Sequence, residues 1–303
     1  AEIIMDELMH FHDVDIQWGN HDVVWMGAAA GSPICVCTVL KTTLAYHNHG
    51  MLEDCYGINL RHLQRMAEQF YGDDDLSLWM PHTDAARGPY TPGMLHRCAV
   101  MHKAVTIIQW KLEGNLIERH PEYHLEDRRL LEFIDKERGV ITLGGKEYAL
   151  LDSDFPTIDP ENPYRLTPEE ESLMAHLHNS VVNNEKLQKH VYCLLRHGSL
   201  YLARNTNLMF HASIPLRADG SFKPVEVMGH DYSGKKLLDR LDELVQVACR
   251  KNGDDPEKQD SIDYMWYLWC GPDSPLFDKS KMATLERYLI ADKETHRETK
   301  GNY

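Results

Sequence analysis

The sequence predicts an α/β fold in which two strand-bearing segments flank a long, mainly helical stretch. Three observations carry that expectation. A short apolar run, Val14-Asp15-Ile16-Gln17-Trp18, ends in Gly19-Asn20-His21-Asp22 and passes into Val23-Val24-Trp25-Met26, the pattern of a strand, a tight turn and a helix. From about residue 33 to 196 apolar residues recur mainly at helical spacing. Short strand-like runs return only after residue 197. The expected organisation is therefore a core segment at 1–32, a mainly helical segment at 33–196, and a continuation of the core at 197–303.

Each element has a local reason. Ile4, Leu8 and Phe11 stand at helical spacing and predict an amphipathic helix with no cap before it. Thr91-Pro92 is an N-cap followed by proline at the first helical position. Behind it Met94, Cys98, Met101, Val105, Ile108 and Leu112 alternate in steps of four and three, which predicts one buried face. Val140-Ile141-Thr142-Leu143 and Lys146-Glu147-Tyr148-Ala149 flank Gly144-Gly145, a hairpin pattern. Asp152 to Arg165 is rich in Asp and Pro and predicts an irregular connection. Thr167-Pro168-Glu169-Glu170 is a capping box. Arg196-His197-Gly198 reads as a helix C-terminus with glycine as the stop. Ser199 to Ala203 and Asn207 to His211 are apolar runs joined by Arg204-Asn205-Thr206. Val225 to Met228 follows, then helical stretches near 234–251, 257–269 and 280–290. No internal repeat or low-complexity segment is present.

Composition narrows the function classes. The 303 residues carry 47 Asp plus Glu against 32 Lys plus Arg, a net charge of −15. That balance argues against nucleic acid and against an anionic membrane surface as partners. An acidic chain that handles phosphates needs a local site where metal ions supply positive charge. Seven cysteines, an odd number, predict reduced thiols and a cytoplasmic setting. No apolar run reaches the length of a membrane span.

The Gly19-Asn20-His21-Asp22 turn holds the chemistry. Glycine allows a sharp turn beside bulky neighbours. Asn20 offers a neutral amide oxygen to a divalent cation. His21 can protonate a leaving oxygen or stabilise phosphoryl charge. Asp22 can orient the His21 imidazole. Ligands in open α/β sheets bind beyond the carboxyl ends of strands, where this turn is expected.

The run His12 to Ser32 closely resembles the bacterial class III fructose-1,6-bisphosphatases. So do Leu52-Glu53-Asp54-Cys55-Tyr56-Gly57-Ile58-Asn59-Leu60-Arg61 and Tyr264-Met265-Trp266-Tyr267-Leu268-Trp269-Cys270-Gly271. The last block continues through Ser274-Pro275-Leu276-Phe277 and Glu286-Arg287-Tyr288 to Asp292-Lys293-Glu294-Thr295-His296. The resemblance implies a calcineurin-like metallophosphoesterase sandwich, a two-metal site, usually manganese, and a role in gluconeogenesis. It further implies that His211, at the end of the run Leu208-Met209-Phe210, ligates metal, with Asn20 on the same ion. Asn20 and His211 are 191 residues apart, so the stretch 33–196 would be an insertion between ligand-bearing strands, able to roof a site or to pack on a partner subunit.

Family members are roughly twice this length, and their Asp-x-His, Gly-Asp-x-x-Asp-Arg and final Gly-His-Thr motifs have no counterpart here. The expectation is an internal piece of a larger protein with a partial sandwich on either side of the insertion. The intact protein would hydrolyse fructose 1,6-bisphosphate to fructose 6-phosphate and phosphate. The rival readings are a calcineurin-like phosphoesterase acting on another phosphoester, such as a phosphoprotein or dinucleotide, and an inactive structural or assembly fragment. Lys279, Lys281 and Arg287 are weak candidates for contact with the phosphate that is not attacked; helix-surface charge is the simpler reading. A homo-oligomer is left open. His10, His12, the Tyr46-His47-Asn48-His49 stretch and the Gly229-His230-Asp231 turn are set aside as structural, the aromatic cluster at 264–269 is read as mostly core, and Asp54 and Arg61 are weak supporting candidates.

Overall fold

Local signals in the sequence become eleven α-helices and nine short strands among the described residues of a computed structural model, which are 2–11, 13–84, 88–250 and 256–299. His12 lies outside them. In chain order the first elements are α1 (Glu2–Leu8), β1 (Ile16–Gln17), α2 (Asn20–Ala30), α3 (Pro33–Ala45), α4 (Gly50–Tyr56), α5 (Arg61–Tyr71) and α6 (Pro92–Arg119). There follow β2 (Ile134–Asp135), β3 (Val140–Leu143), β4 (Lys146–Ala149), α7 (Pro168–Val182) and α8 (Glu185–His197). The last are β5 (Gly198–Ser199), β6 (Tyr201–Arg204), β7 (Asn207–Phe210), β8 (Val225–Val227), β9 (His230–Tyr232), α9 (Gly234–Cys249), α10 (Lys258–Cys270) and α11 (Leu285–Leu289). The chain is thus mixed α/β with small sheets. It forms two compact units, one of residues 1–36, 181–282 and 298–303, the other of 37–180 and 283–297.

In the first unit β1 pairs in parallel with β5, Ile16 opposite Gly198 and Gln17 opposite Ser199. Trp18 extends the pairing by donating its N–H to Ser199 O at 2.9 Å. Its indole is fully buried and donates Nε1–H to Leu194 O, in the last turn of α8, at 2.9 Å. Gly198 does end α8, but in extended conformation (φ −121°), not as the left-handed stop that the sequence suggests. Glycine is needed there because a Cβ would sit 2.1 Å from Trp18 Nε1 and 2.4 Å from Leu194 O. Helix α2 packs most extensively on α10 and also on α9 and α8.

Helix α1 forms, but the apolar residues that predict it are not buried: Leu8 is half-exposed and the others are more so. Ile4 and Phe11 are each 63 % exposed, and the helix buries no residue. It is held by its acidic side instead. Asp6 Oδ1 lies 2.8 Å from His190 Nε2, and Lys186 pairs with Glu2 and Asp6. Strands β6 and β7 form the expected hairpin, closed by Asn205 and Thr206 at φ 49° and 68°. The side chains of Leu208, Met209 and Phe210 are exposed, so this apolar run does not enter the core. Residues 229–231 are not simply a turn: Met228 and Gly229 make the turn, and His230 and Asp231 belong to β9, paired with Val227 and Glu226.

In the second unit the caps predicted from sequence are present. Thr91 Oγ1 accepts from Met94 N at 3.2 Å, and Thr167 and Glu170 satisfy each other's backbone N–H groups at 3.2 and 2.8 Å. Gly144 and Gly145 have φ of 55° and 79°, the pair of left-handed residues that a two-residue hairpin turn takes. Helix α6 departs from expectation. It is buried on all sides from Cys98 to Lys111, not along one face. Its buried lysines are paired inside the unit: Lys103 with Asp74 and Asp152 at 2.5 and 2.8 Å, Lys111 with Glu170 at 2.7 Å. The expected 280–290 helix shrinks to α11, and Ser280 N–H bonds instead to Thr299 O at 3.0 Å.

His102, also on α6, carries a pH prediction. Nδ1 lies 2.9 Å from Trp79 O and Nε2 lies 3.0 Å from Tyr288 OH, while Trp79 and Tyr288 stack at 4.9 Å. Burial pushes the imidazole down to about 4, against its bond to the Trp79 carbonyl, which raises it. Between that value and the ordinary one, near 6.5, the unfolded chain binds the proton and the folded chain does not. Stability therefore rises with pH through this window and is lost as pH falls from about 6.5 to 4, by roughly 3 kcal/mol in all. Chemical denaturation across pH 4–7 is expected to show this slope, and His102→Asn is expected to flatten it.

Candidate active site

The Gly19-Asn20-His21-Asp22 motif is the N-terminus of α2, not a free turn. Gly19 is the N-cap (φ −102°, ψ 175°), a conformation open to any residue. Asp22, at the third helical position, accepts Gly19 N–H on Oδ2 at 2.8 Å. This is the carboxylate half of a capping box, and glycine supplies no side chain for the other half. Asn20 Oδ1 accepts His21 N–H at 3.0 Å. Asn20, His21 and Asp22 are thereby fixed on the first turn of a helix whose remainder is core: Val23, Val24, Met26, Ala28 and Ala29 are buried.

His211 follows directly on β7 and comes to this motif from across the unit. An added Cβ on Gly19 would lie 2.9 Å from His211 Cε1 and 3.0 Å from Nδ1. Glycine at position 19 is thus explained by space for the His211 ring, not by a strained backbone. The chain after His211 is anchored by Ser213 N–H to Pro275 O at 3.1 Å.

His21 packs edge-on against Trp269 of α10, ring centroids 4.8 Å apart at 76°. Its pKa is held below the ordinary histidine value, chiefly by partial burial and also by the nearby His211; the Asp22 charge acts in the opposite direction. Trp269 escapes a reading of the sequence because it sits in an aromatic run that reads as core. Tyr264, Met265, Trp266, Tyr267 and Leu268 are indeed buried, and Trp269 is the half-exposed member that reaches the site.

The weak phosphate candidates are divided between the two units. Lys279 pairs with Glu298. Lys281 is half-exposed in the first unit, and Arg287 is exposed on α11 in the second. Asp54 and Arg61 also belong to the second unit.

An amide oxygen from Asn20 and an imidazole nitrogen from His211 fit a borderline divalent cation in donor type. Two donors are fewer than the four to six that such an ion takes. Among the described residues no group of three or more His, Cys, Asp or Glu could hold a metal ion. The pair therefore fits one side of a metal centre.

The family model described as Firmicute fructose-1,6-bisphosphatase matches residues 1–303. The chain belongs to this family. Class 3 fructose-1,6-bisphosphatase of Bacteroides fragilis is 53 % identical over 303 residues, all of this chain and 46 % of that protein. The enzymes of the same name from Alkaliphilus metalliredigens and Porphyromonas gingivalis are 51 % identical over 304 residues and 48 % over 307, again all of this chain and 46 % of theirs. The chain spans about half the length of the curated relatives it matches. No solved structure matches it. None of the seven cysteines forms a disulfide, and among the described residues no helix is long and apolar enough to cross a membrane.

Proposed function

We propose that a family-length protein containing this chain hydrolyses fructose 1,6-bisphosphate to fructose 6-phosphate and phosphate, in cytoplasmic gluconeogenesis, with Asn20, His21, Asp22 and His211 in its active site. The observation that carries this reading is the seating of the His211 ring on Gly19, which brings two motifs 191 residues apart in sequence into contact. Membership of the fructose-1,6-bisphosphatase family supplies the substrate. The surrounding core is read as part of a calcineurin-like metallophosphoesterase sandwich, and the helical stretch 33–196 as an insertion between the strands that lead to Asn20 and His211.

Asn20 Oδ1 and a His211 ring nitrogen would hold one divalent ion, manganese by resemblance. Such ions, when bound, supply positive charge against phosphate oxygens and make water a better nucleophile. The chain's own groups do the rest. His21 protonates the leaving sugar oxygen or donates a hydrogen bond as charge develops there. Asp22 fixes the turn that presents His21 and adds negative charge beside its ring. Trp269 limits rotation of His21 by packing edge-on against its ring. Lys279, Lys281 and Arg287 remain proposals for the phosphate that is not attacked.

This chain by itself is read as inactive. The specific observation is that no group of three or more His, Cys, Asp or Glu among the described residues could hold a metal ion.

Gly19→Ala tests the arrangement. The backbone at position 19 accepts alanine, but the new methyl must displace the His211 ring. In the family-length protein manganese affinity is expected to fall about 10–100-fold, the range seen when the support of a ligand is lost, with the melting temperature little changed. Unaltered affinity measured by titration calorimetry would remove His211 from the metal site.

A further inference from the structure

The block Leu52–Arg61 is one of those that carry the family resemblance, yet it belongs to the helical unit, whereas Asn20, His21 and His211 belong to the other. Within the helical unit Glu53 and Leu60 of this block line a cavity of about 210 Å³ together with His47, His49, Gln64 and Arg97. That volume is the share of about seven water molecules, enough for a three-carbon acid or phosphate.

The polar groups of the cavity are held in place but not used up. The His47 backbone is left-handed (φ 51°), a conformation uncommon for histidine, and its ring lies edge-on to His49 at 5.1 Å and to Tyr90 at 4.8 Å. His49 is fixed through Nδ1, 3.7 Å from Cys98 Sγ, while the Cys98 thiol donates to Leu44 O at 3.2 Å. Glu53 Oε1 accepts Leu60 N–H at 3.3 Å. The Arg97 guanidinium and the Gln64 carboxamide make no hydrogen bond or ion pair within the described residues. A guanidinium without a carboxylate is a planar fork of donors matched to a phosphate or carboxylate group. Glu53 is acceptor-only when ionised, so it favours a ligand that also carries a hydroxyl and disfavours a bare anion.

We infer that this cavity binds a small hydroxylated oxyanion, its phosphate or carboxylate group against Arg97 and Gln64 and a hydroxyl against Glu53. The inference does not depend on the proposed hydrolysis. It is tested by titrating this chain with glycerol 3-phosphate, inorganic phosphate and glycerol, followed by calorimetry and by the imidazole NMR signals of His47 and His49. Glycerol 3-phosphate is expected to bind more tightly than phosphate, glycerol not to bind, and both histidine signals to move. Arg97→Gln is expected to weaken glycerol 3-phosphate at least tenfold, and Glu53→Gln to narrow its advantage over phosphate. Unmoved His47 and His49 signals would overturn the assignment whatever the variants do. So would full affinity in a folded Arg97→Gln chain, or binding that is lost with His211→Ala and kept with Arg97→Gln.

Discussion

Replacing His21 by alanine in a family-length protein is expected to lower kcat on fructose 1,6-bisphosphate by about 10²–10⁴-fold, the usual contribution of a placed proton donor. The Michaelis constant should change little, because the lost interaction belongs to the transition state. The expectation rests on placement. His21 stands on the first turn of α2, next to the Asn20 amide, with His211 close enough to depress its pKa and Trp269 against its ring. Nothing in the core depends on it, since the residue stands at the exposed end of the helix. His21→Ala should therefore fold and bind manganese normally. Steady-state kinetics with a metal-binding control would separate the roles: wild-type turnover in the variant would sink the assignment.

The largest expected effect on stability lies elsewhere. Lys111→Met is expected to cost about 3–5 kcal/mol of unfolding free energy, the usual result of removing one partner from a buried ion pair. The Lys111 side chain is fully buried and Glu170 is 1 % exposed. The ammonium donates to Glu170 Oε2 at 2.7 Å and to Thr157 O at 2.6 Å. Burial pulls the Lys111 pKa down, and the Glu170 charge pulls it back. Methionine keeps the apolar stem but leaves a buried carboxylate with no counter-charge and only the Thr167 N–H as donor, and takes the ammonium from Thr157 O. Lys111→Met combined with Glu170→Gln should recover most of the loss, since the glutamine side chain is neutral and retains an acceptor for Thr167 N–H. Urea denaturation of the parent, the single and the double variant measures both terms, and a single variant as stable as the parent would contradict the argument.

These buried pairs show why part of the fold is not legible in the sequence. What obeys local rules can be read. Thr91 before Pro92, the Thr167–Glu170 box and the Gly144-Gly145 turn each act within four residues, and each forms as the residue types dictate. Helix α6 reads as amphipathic because Lys103 and Lys111 look like solvent-facing residues. Their carboxylates come from Asp74, Asp152 and Glu170, and no periodicity in α6 announces them. The same holds for α1, whose acidic side finds Lys186 and His190 far along the chain and leaves Ile4 outward. Gly198 reads as a helix stop, while the true constraint is the Trp18 indole, far earlier in the chain.

The candidate site divides in the same way. Asn20, His21 and Asp22 declare themselves as a compact motif. His211 enters through the family resemblance, since a lone histidine after an apolar run carries little signal. The structure gives it a physical place, against the one residue in the motif that lacks a side chain. Trp269 is not legible in the same way: its aromatic run reads as core, and only the folded chain shows that this member remains half-exposed.

The most direct test of the account is phosphate release from fructose 1,6-bisphosphate, with manganese, by a family-length protein and by its Asn20→Ala/His211→Ala double variant. The account predicts release of one phosphate per sugar by the parent, and loss of nearly all of it in a double variant that still folds. Full release by the folded double variant would contradict it, as would no release by a folded, metal-loaded parent.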